Sequence, residues 1–306
     1  MMTAMDKRDP SRPWRGQLKV NESLAQHNTW RVGGPAARYY LPIDATDLAS
    51  FIGTLDENEP LLWLGLGSNV LVRDGGFRGT VIATHPVLDR CGRVENNLLR
   101  AEAGTPCAKV ARQAVRDGAT GLEFFAGIPG TIGGALAMNA GAFGGETWRQ
   151  VDCVETVDRQ GRLHRRPASD YCVAYREVHP PTADEGFAAA TFRVRPDILH
   201  EGEAKIRSLL TRRAQSQPMG EPSCGSVFRN PAGEYAGRLI EQCGLKGATR
   251  GGAQVSRKHA NFIVNLGGAT AADIEGLIRH IQETVRGQRG VELIPEVRIV
   301  GEEKQS

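Results

Sequence analysis

The sequence contains no run of about 18 apolar residues, so no segment reads as a membrane-spanning helix and no membrane insertion is expected. No two of its six cysteines (Cys91, Cys107, Cys153, Cys172, Cys224 and Cys243) form a C-x-x-C pair, and no histidine cluster accompanies them. That argues against a zinc site, and no metal is expected. The N-terminal "MMTAMDKRDPSRPWRG" is polar and lacks the apolar core of a secretory signal. The cysteines are therefore read as reduced thiols and a cytoplasmic location is expected, with residues 1–20 as a disordered lead-in. Net charge is only +3, too weak to point to nucleic acid, though it suits an anionic small molecule. There are no internal repeats.

What is present is ordinary in bulk and distinctive in detail. A chain of 306 residues, 40% hydrophobic and 24% charged, can bury a substantial core in two or three packed lobes. Its 37 glycines gather in short clusters, as loops do, and not in a low-complexity tract. Residues 21–84 alternate apolar runs with glycine turns: "LLWLGLGSNVLV" and "GTVIA" predict strands, and "DATDLASFIGTL" a helix capped at Asp44 or Thr46. Residues 85–198 continue with a strand in "NLLRAEAG" and a helix in "TPCAKVARQAVRDG". That helix is expected to have Thr105 as its N-cap, Pro106 at its first position and Gly118 as its stop. Strands are predicted at "VDCVETVD", "RLHRRP" and "FAAATFRV". Residues 199–306 are richer in helix, and the longest candidate starts at a Thr270–Asp273 capping motif. Its Ile274, Leu277, Ile278, Ile281 and Val285 share one face. These textures divide the chain into a first lobe (21–84), a second (85–198) and a third (199–306).

Two glycine clusters invite a ligand reading. "GLGSN", Gly65 to Asn69, follows an apolar strand, and its glycines let backbone N–H groups approach an anion while Ser68 and Asn69 add donors. It lacks the third glycine of the dinucleotide fingerprint and the G-K-[ST] of a P-loop. A plain strand–turn–strand corner fits it as well. "GIPGTIGGALAMNAGAFG", Gly127 to Gly144, permits close backbone approach to a cofactor, and equally a tightly packed helix of small residues. Together they favour a nucleotide-like cofactor. Further on, "SCGSVFRNP" sets Ser226 beside no histidine, so a nucleophile activated by a neighbouring base has no support from this segment.

Taken together, these segments resemble a family. "NTWRVGGPA" (residues 28–36), "GLGSNVLVRDGGFRGTVI" (65–82) and "GIPGTIGGALAMNAGAFGGE" (127–146) are similar to the FAD-binding motifs of the UDP-N-acetylenolpyruvoylglucosamine reductases. "AYRE" (174–177), "GSVFRNP" (225–231), "GGAQVSRKHANFIVN" (251–265) and "LIPEV" (293–297) resemble the substrate-lobe motifs, in the family's order. The resemblance implies an α+β fold: a two-lobed FAD-binding region of the vanillyl-alcohol-oxidase type plus a C-terminal α/β substrate-binding lobe. It implies non-covalent FAD, NADPH as hydride donor, and UDP-N-acetylglucosamine enolpyruvate as substrate, reduced to UDP-N-acetylmuramate for peptidoglycan. A monomer is expected. Between Arg176 and Phe187 stands only "EVHPPTADEG", so the chain resembles the shorter form of the family, without the substrate-covering tyrosine loop.

By the same resemblance, FAD contacts fall on Arg31, Gly33, Gly65, Leu66, Gly67, Ser68, Asn69, Gly127, Ile128, Pro129, Gly130, Gly133, Gly134, Asn139 and Gly141. Catalytic roles fall on Ser226 as proton donor, and on Arg176 and Glu296. Substrate contacts fall on Arg213, with Arg212 as an adjacent rival, and on Asn230 and His259. The chemistry suits these types. After hydride reaches C3 of the enolpyruvyl group, charge develops at C2 and its carboxylate, a basic carbon that a neutral hydroxyl held in line can protonate. A cation nearby stabilises the growing charge. Two rival readings are an oxidase on the same FAD fold and a nucleotide-binding protein that has lost its chemistry; candidates at all three catalytic positions argue against the second.

Overall fold

The computed structural model describes residues 12–95 and 97–304. The described residues divide into two compact units: residues 12–20, 38–66 and 79–212 belong to the first, and residues 21–37, 67–78 and 213–304 to the second. This division does not fall at residues 84 and 198, where sequence texture places the lobe boundaries. Two short segments, 21–37 and 67–78, group with the C-terminal part instead.

Residues 1–11 of the expected lead-in lie outside the described residues. Residues 12–20 depart from that expectation, because a strand begins at Gln17 and runs to Ser23. The Trp14 ring meets Tyr40 and Phe51 edge-on at 5.5 Å each. The buried Asp47 carboxylate accepts the Tyr40 hydroxyl at 2.8 Å, the Ile43 N–H at 2.9 Å and the Gly16 N–H at 3.3 Å, and also takes the Arg15 N–H. One apolar ring and one buried acceptor therefore hold a segment whose composition reads as solvated.

The first unit holds two larger sheets. Strands Gln17–Ser23, Pro35–Leu41, Phe77–Ala83 and Leu61–Leu64 form one in that order, mainly within this unit. Helix α1 (Ala45–Ile52) starts at Asp44, whose side chain accepts the Asp47 N–H. Tyr40 stacks on Phe51 at 3.6 Å beneath it. The second sheet orders Leu163–Pro167, Val151–Val157, Gly186–Arg193, Leu98–Glu102 and Cys91–Glu95, all antiparallel. Its core takes in helix α2 (Cys107–Arg116), which begins one residue later than expected. Pro106 occupies the cap with extended ψ, and the Thr105 hydroxyl reaches the Arg90 carbonyl at 3.3 Å instead of capping. Helix α3 (Ile132–Ala137) lies inside the second glycine cluster, and helix α4 (Gly202–Ser216) follows.

The second unit is organised around helix α6 (Ala271–Arg289), with helix α5 (Ala236–Gln242) before it in the chain. The expected capping box is present: the Thr270 side chain accepts the Asp273 N–H and the Asp273 carboxylate accepts the Thr270 N–H. Asp74 takes the next two amides, of Ala271 and Ala272, at 2.9 Å each. Four helix-start donors thus find acceptors. The apolar face of α6 is buried as its spacing predicts, and Gly290 ends the helix at φ 70°. Strand Arg298–Val300 pairs in parallel with Val70–Val72. The Trp30 indole donates to the Ile263 carbonyl at 2.7 Å. These non-local bonds draw segments 21–37 and 67–78 into this unit.

Candidate active site

Within the second unit, residues 227–229 run against residues 294–296 through one isolated bridge, with bends at Val227 and Val297. The Val227 carbonyl accepts the Glu296 N–H at 2.7 Å, Phe228 bridges Pro295, and the Arg229 N–H donates to the Ile294 carbonyl at 2.9 Å. The segments that carry Ser226 and Glu296 are thereby brought together, and both residues are half-buried. Gly225, just before the serine, turns at φ 70° with open space where a Cβ would stand. Among the described residues, no histidine, aspartate, glutamate or lysine is hydrogen-bonded to the Ser226 hydroxyl. An activated nucleophile needs such a base; a proton donor to carbon does not.

The ladder is clamped from two sides. Asn261, 3% exposed, accepts the Phe228 N–H at 3.0 Å and donates to the Phe228 carbonyl at 2.8 Å. Its own carbonyl accepts the Val227 N–H at 2.9 Å. Asn69 donates to the Glu296 carbonyl at 3.1 Å while its backbone carbonyl accepts the Arg298 N–H at 3.1 Å. Asn69, expected as a cofactor contact, is thus also a structural link to Glu296. Cys224 is packed beneath this region against the Gly67 and Val70 carbonyls; burial pushes its thiol up to about 12, so it stays protonated and inert.

The turn before the first glycine cluster belongs to the same unit. Buried Asn28 holds residues 28–32 by donating to the Leu24 and Val32 carbonyls and accepting the Arg31 N–H. Arg31 adopts φ 60° there and is exposed. Gly33, at φ 108°, presses against Val72: a Cβ would stand 2.5 Å from the Val72 carbonyl oxygen. Gly67, at φ 62°, leaves no room either, with the His27 carbonyl oxygen 2.4 Å from a Cβ. The Thr29 hydroxyl donates to the Ser223 carbonyl at 2.6 Å and the Thr29 N–H to the Gly67 carbonyl at 3.1 Å. Residues 28–33, 67–69, 223–229 and 294–298 therefore form one connected loop cluster, with half-buried Ser68 within it.

Two of the substrate candidates, Asn230 and His259, also support the fold here. The Asn230 side-chain oxygen accepts the Ala236 N–H at 3.1 Å, at the start of α5, which leaves its amide nitrogen as the donor for a ligand. His259 accepts the Asn261 N–H on Nδ1 at 3.2 Å and meets the Phe262 ring edge-on. Burial, then the Lys246 charge, lowers its pKa. Arg213 is half-buried and its Nε donates to Gln217 at 3.0 Å; desolvation disfavours its charge. Its rival Arg212 is exposed, with its guanidinium 5.3 Å from the Phe143 ring.

The first unit carries the second glycine cluster and Arg176. Most of these glycines are demanded by the protein itself. A Cβ on Gly65 would lie 2.2 Å from the Thr131 hydroxyl, on Gly127 2.4 Å from the Phe143 ring, and on Gly141 2.6 Å from the Gly145 carbonyl oxygen. Gly133 donates to the Ala103 carbonyl at 2.8 Å and the Gly130 carbonyl accepts the Cys107 N–H at 2.9 Å. Gly134 differs. It is exposed, and a Cβ there would have only the Thr131 hydroxyl near it, at 4.0 Å. Half-buried Leu66 and Ile128 and exposed Pro129 complete the set. Asn139, at φ 44°, is spent on the fold: it donates to the Ala174 carbonyl and Glu146 and accepts the Trp148 N–H. Through Ala174 it fixes the strand Cys172–Ala174 two residues before Arg176, which sits at φ 58°. A left-handed arginine is a costly conformation that concentrates at functional sites.

The residues present fit a flavin nucleotide. Half-buried Ser68 and Asn69, which follow the tight Gly67 turn, and the open backbone at Gly134 are groups that a phosphate or flat ring can approach. Sequence reasoning missed Asn28 and Asn261. Both stand among other polar residues ("AQHNTWR" and "SRKHANF"), and their partners are backbone groups that no residue pattern announces.

Residues 36–166 match the FAD-binding domain profile, and residues 217–300 match the C-terminal domain of UDP-N-acetylenolpyruvoylglucosamine reductase. The class is therefore an FAD-dependent oxidoreductase of α+β fold. A reductase of that name from Alkalilimnicola ehrlichii is 56% identical over 94% of this chain and 96% of its own length. One from Methylococcus capsulatus is 56% identical over 95% of each. The crystal structure of UDP-N-acetylenolpyruvylglucosamine reductase from Thermus caldophilus superposes with a TM-score of 0.78, at 32% identity, covering 93% of this chain and 98% of that one. The chain belongs to the UDP-N-acetylenolpyruvoylglucosamine reductase family. No helix among its described residues is long and apolar enough to cross a membrane.

Proposed function

We propose that the protein reduces the enolpyruvyl ether of UDP-N-acetylglucosamine to the lactyl ether of UDP-N-acetylmuramate, a step of peptidoglycan precursor synthesis, using NADPH. FAD, when bound, supplies the hydride that NADPH delivers and that the substrate receives at C3. Residues 65–69 and 127–134 would hold it without a covalent bond.

The chain's own residues then have defined tasks. Ser226 gives its proton to C2 and recovers one from solvent. Its lack of a base partner suits this role, since the carbon formed is itself the strong base. Arg176 stabilises the negative charge that grows on C2 and the adjacent carboxylate; removing a donor aimed at such charge typically costs about 3–4 kcal/mol. Glu296 orients the cation and the substrate. Asn261 and Asn69 fix the two segments that carry Ser226 and Glu296. Arg213, Asn230 and His259 serve the sugar nucleotide. What supports this reading is the backbone bonding of residues 227–229 to residues 294–296, next to Ser226 and including Glu296, in a chain whose relatives bear the reductase name.

The test is NADPH oxidation by the FAD-loaded protein with and without UDP-N-acetylglucosamine enolpyruvate. Substrate-dependent oxidation with formation of UDP-N-acetylmuramate is expected. Fast oxidation that depends on oxygen and ignores the substrate would replace this reading with that of an oxidase.

A further inference from the structure

Arg229 has no role in the account above, yet its position is unusual. Its Nε is buried and no hydrogen-bond acceptor reaches it. Among the described residues it pairs with no carboxylate and makes no other side-chain hydrogen bond. Arg159 also has one buried nitrogen without a partner, but its Nη2 donates to the Glu57 and Glu59 carbonyls, so its place in the fold is explained. Arg229 has its backbone tied to Ile294 and its side chain committed to nothing. A guanidinium partly withdrawn from water and left without an anion is destabilising unless something arrives to pair with it.

We infer that Arg229 is a further substrate-binding residue, whose guanidinium takes an oxyanion of the diphosphate. This rests on the substrate reading given above. The ladder supplies the spacing. Arg229 lies three residues beyond Ser226 with a bend at Val227 between them, so its backbone stands within about 10 Å of the proton donor. The enolpyruvyl group and the diphosphate sit on different carbons of one hexose ring, so a cation at that distance from Ser226 can pair with the diphosphate while Ser226 serves the reacting carbon. Asn230, adjacent in sequence, keeps its amide nitrogen as a donor for the same ligand. The planar fork of arginine matches two phosphate oxygens at once.

The test uses the FAD-loaded protein and two probes, uridine diphosphate and uridine, measured by calorimetric titration. Wild type is expected to bind the diphosphate more tightly than the nucleoside. Arg229→Gln is expected to weaken diphosphate binding by about tenfold or more, as for loss of a charge-assisted pair, and to leave uridine binding unchanged. Arg229→Lys, which keeps the charge and loses the fork, should fall between. Flavin absorption and melting temperature show that each variant is folded, and the lysine variant decides alone if the glutamine one is not. Diphosphate affinity within twofold of wild type in the folded variants overturns the assignment, even if turnover changes. A wild-type protein that binds no uridine diphosphate and shows no substrate-dependent NADPH oxidation refutes the functional reading, and this inference with it.

Discussion

Asn261→Ala tests how the ladder beneath the candidate site is held. The alanine removes both side-chain bonds to Phe228, at 3.0 and 2.8 Å, and leaves a backbone N–H and C=O without partners where Phe228 is 1% exposed. A buried polar group stripped of its partner costs about 1–3 kcal/mol, so two cost roughly 2–6, with about 3 the central expectation if the segment relaxes partly. At roughly 2–4 °C per kcal/mol, the melting temperature should fall by about 6–12 °C. The measurement is best made on apoprotein, because bound FAD adds its own stabilisation. Asn261→Asp sharpens the test. It keeps the acceptor for the Phe228 N–H but sets a carboxylate oxygen where a nitrogen now donates to the Phe228 carbonyl. Only the protonated acid can donate there, so its folded pKa is raised above the unfolded value of about 3.9. The aspartate variant should therefore be at its best below about pH 4 and lose stability as pH rises towards its folded pKa, whereas the alanine deficit stays constant with pH. A melting temperature for Asn261→Ala within about 2 °C of wild type would refute the clamp.

Three other outcomes are expected. Ser226→Ala should retain FAD and accept reduction by NADPH while reoxidation by substrate slows, and Ser226→Cys should recover part of that loss below the thiol's pKa of about 8.5; rapid mixing across pH reads both, and an alanine variant reoxidising at the wild-type rate removes the proton-donor role. Arg176→Lys should slow the same half-reaction about 100-fold or more, from the ~3–4 kcal/mol of such a donor, while flavin reduction survives; equal loss in both halves contradicts the role. His259 has its pKa lowered by burial and by Lys246, so its contribution is fully present above the unfolded value of about 6.5 and is lost as pH falls through the folded one. Urea midpoints followed from pH 7 to pH 5 should drop less in His259→Gln than in wild type, and parallel profiles would show that His259 is not the group responsible.

Several local features were legible in the sequence because donor and acceptor lie within a turn of each other, although Asn28, whose bonds span three and four residues, was not. The cap at Asp44 (where Thr46 was the alternative), the Thr270–Asp273 capping box, the buried face of α6 and the left-handed Gly118 all follow from bonds or periodicities spanning a few residues. The motif set that resembles the reductase family was likewise present in the linear order of residues, and the relatives bear it out. The tertiary structure alone decided which distant segments meet. Asn69 reaches the Glu296 carbonyl across 227 residues, and Thr29 reaches that of Ser223 across 194. Nothing in either neighbourhood specifies such a register, because any backbone carbonyl is an equivalent acceptor until the chain path selects one. The same holds for the glycines. Sequence shows that a side chain is absent at Gly65, Gly127 and Gly141, and only the packed structure shows that Thr131, Phe143 and Gly145 occupy the space, leaving Gly134 as the one of these positions open to a ligand. Trp14 and Asp47 make the converse point: a polar-looking lead-in is held from Arg15 onward because one buried carboxylate, 32 residues away, needs donors.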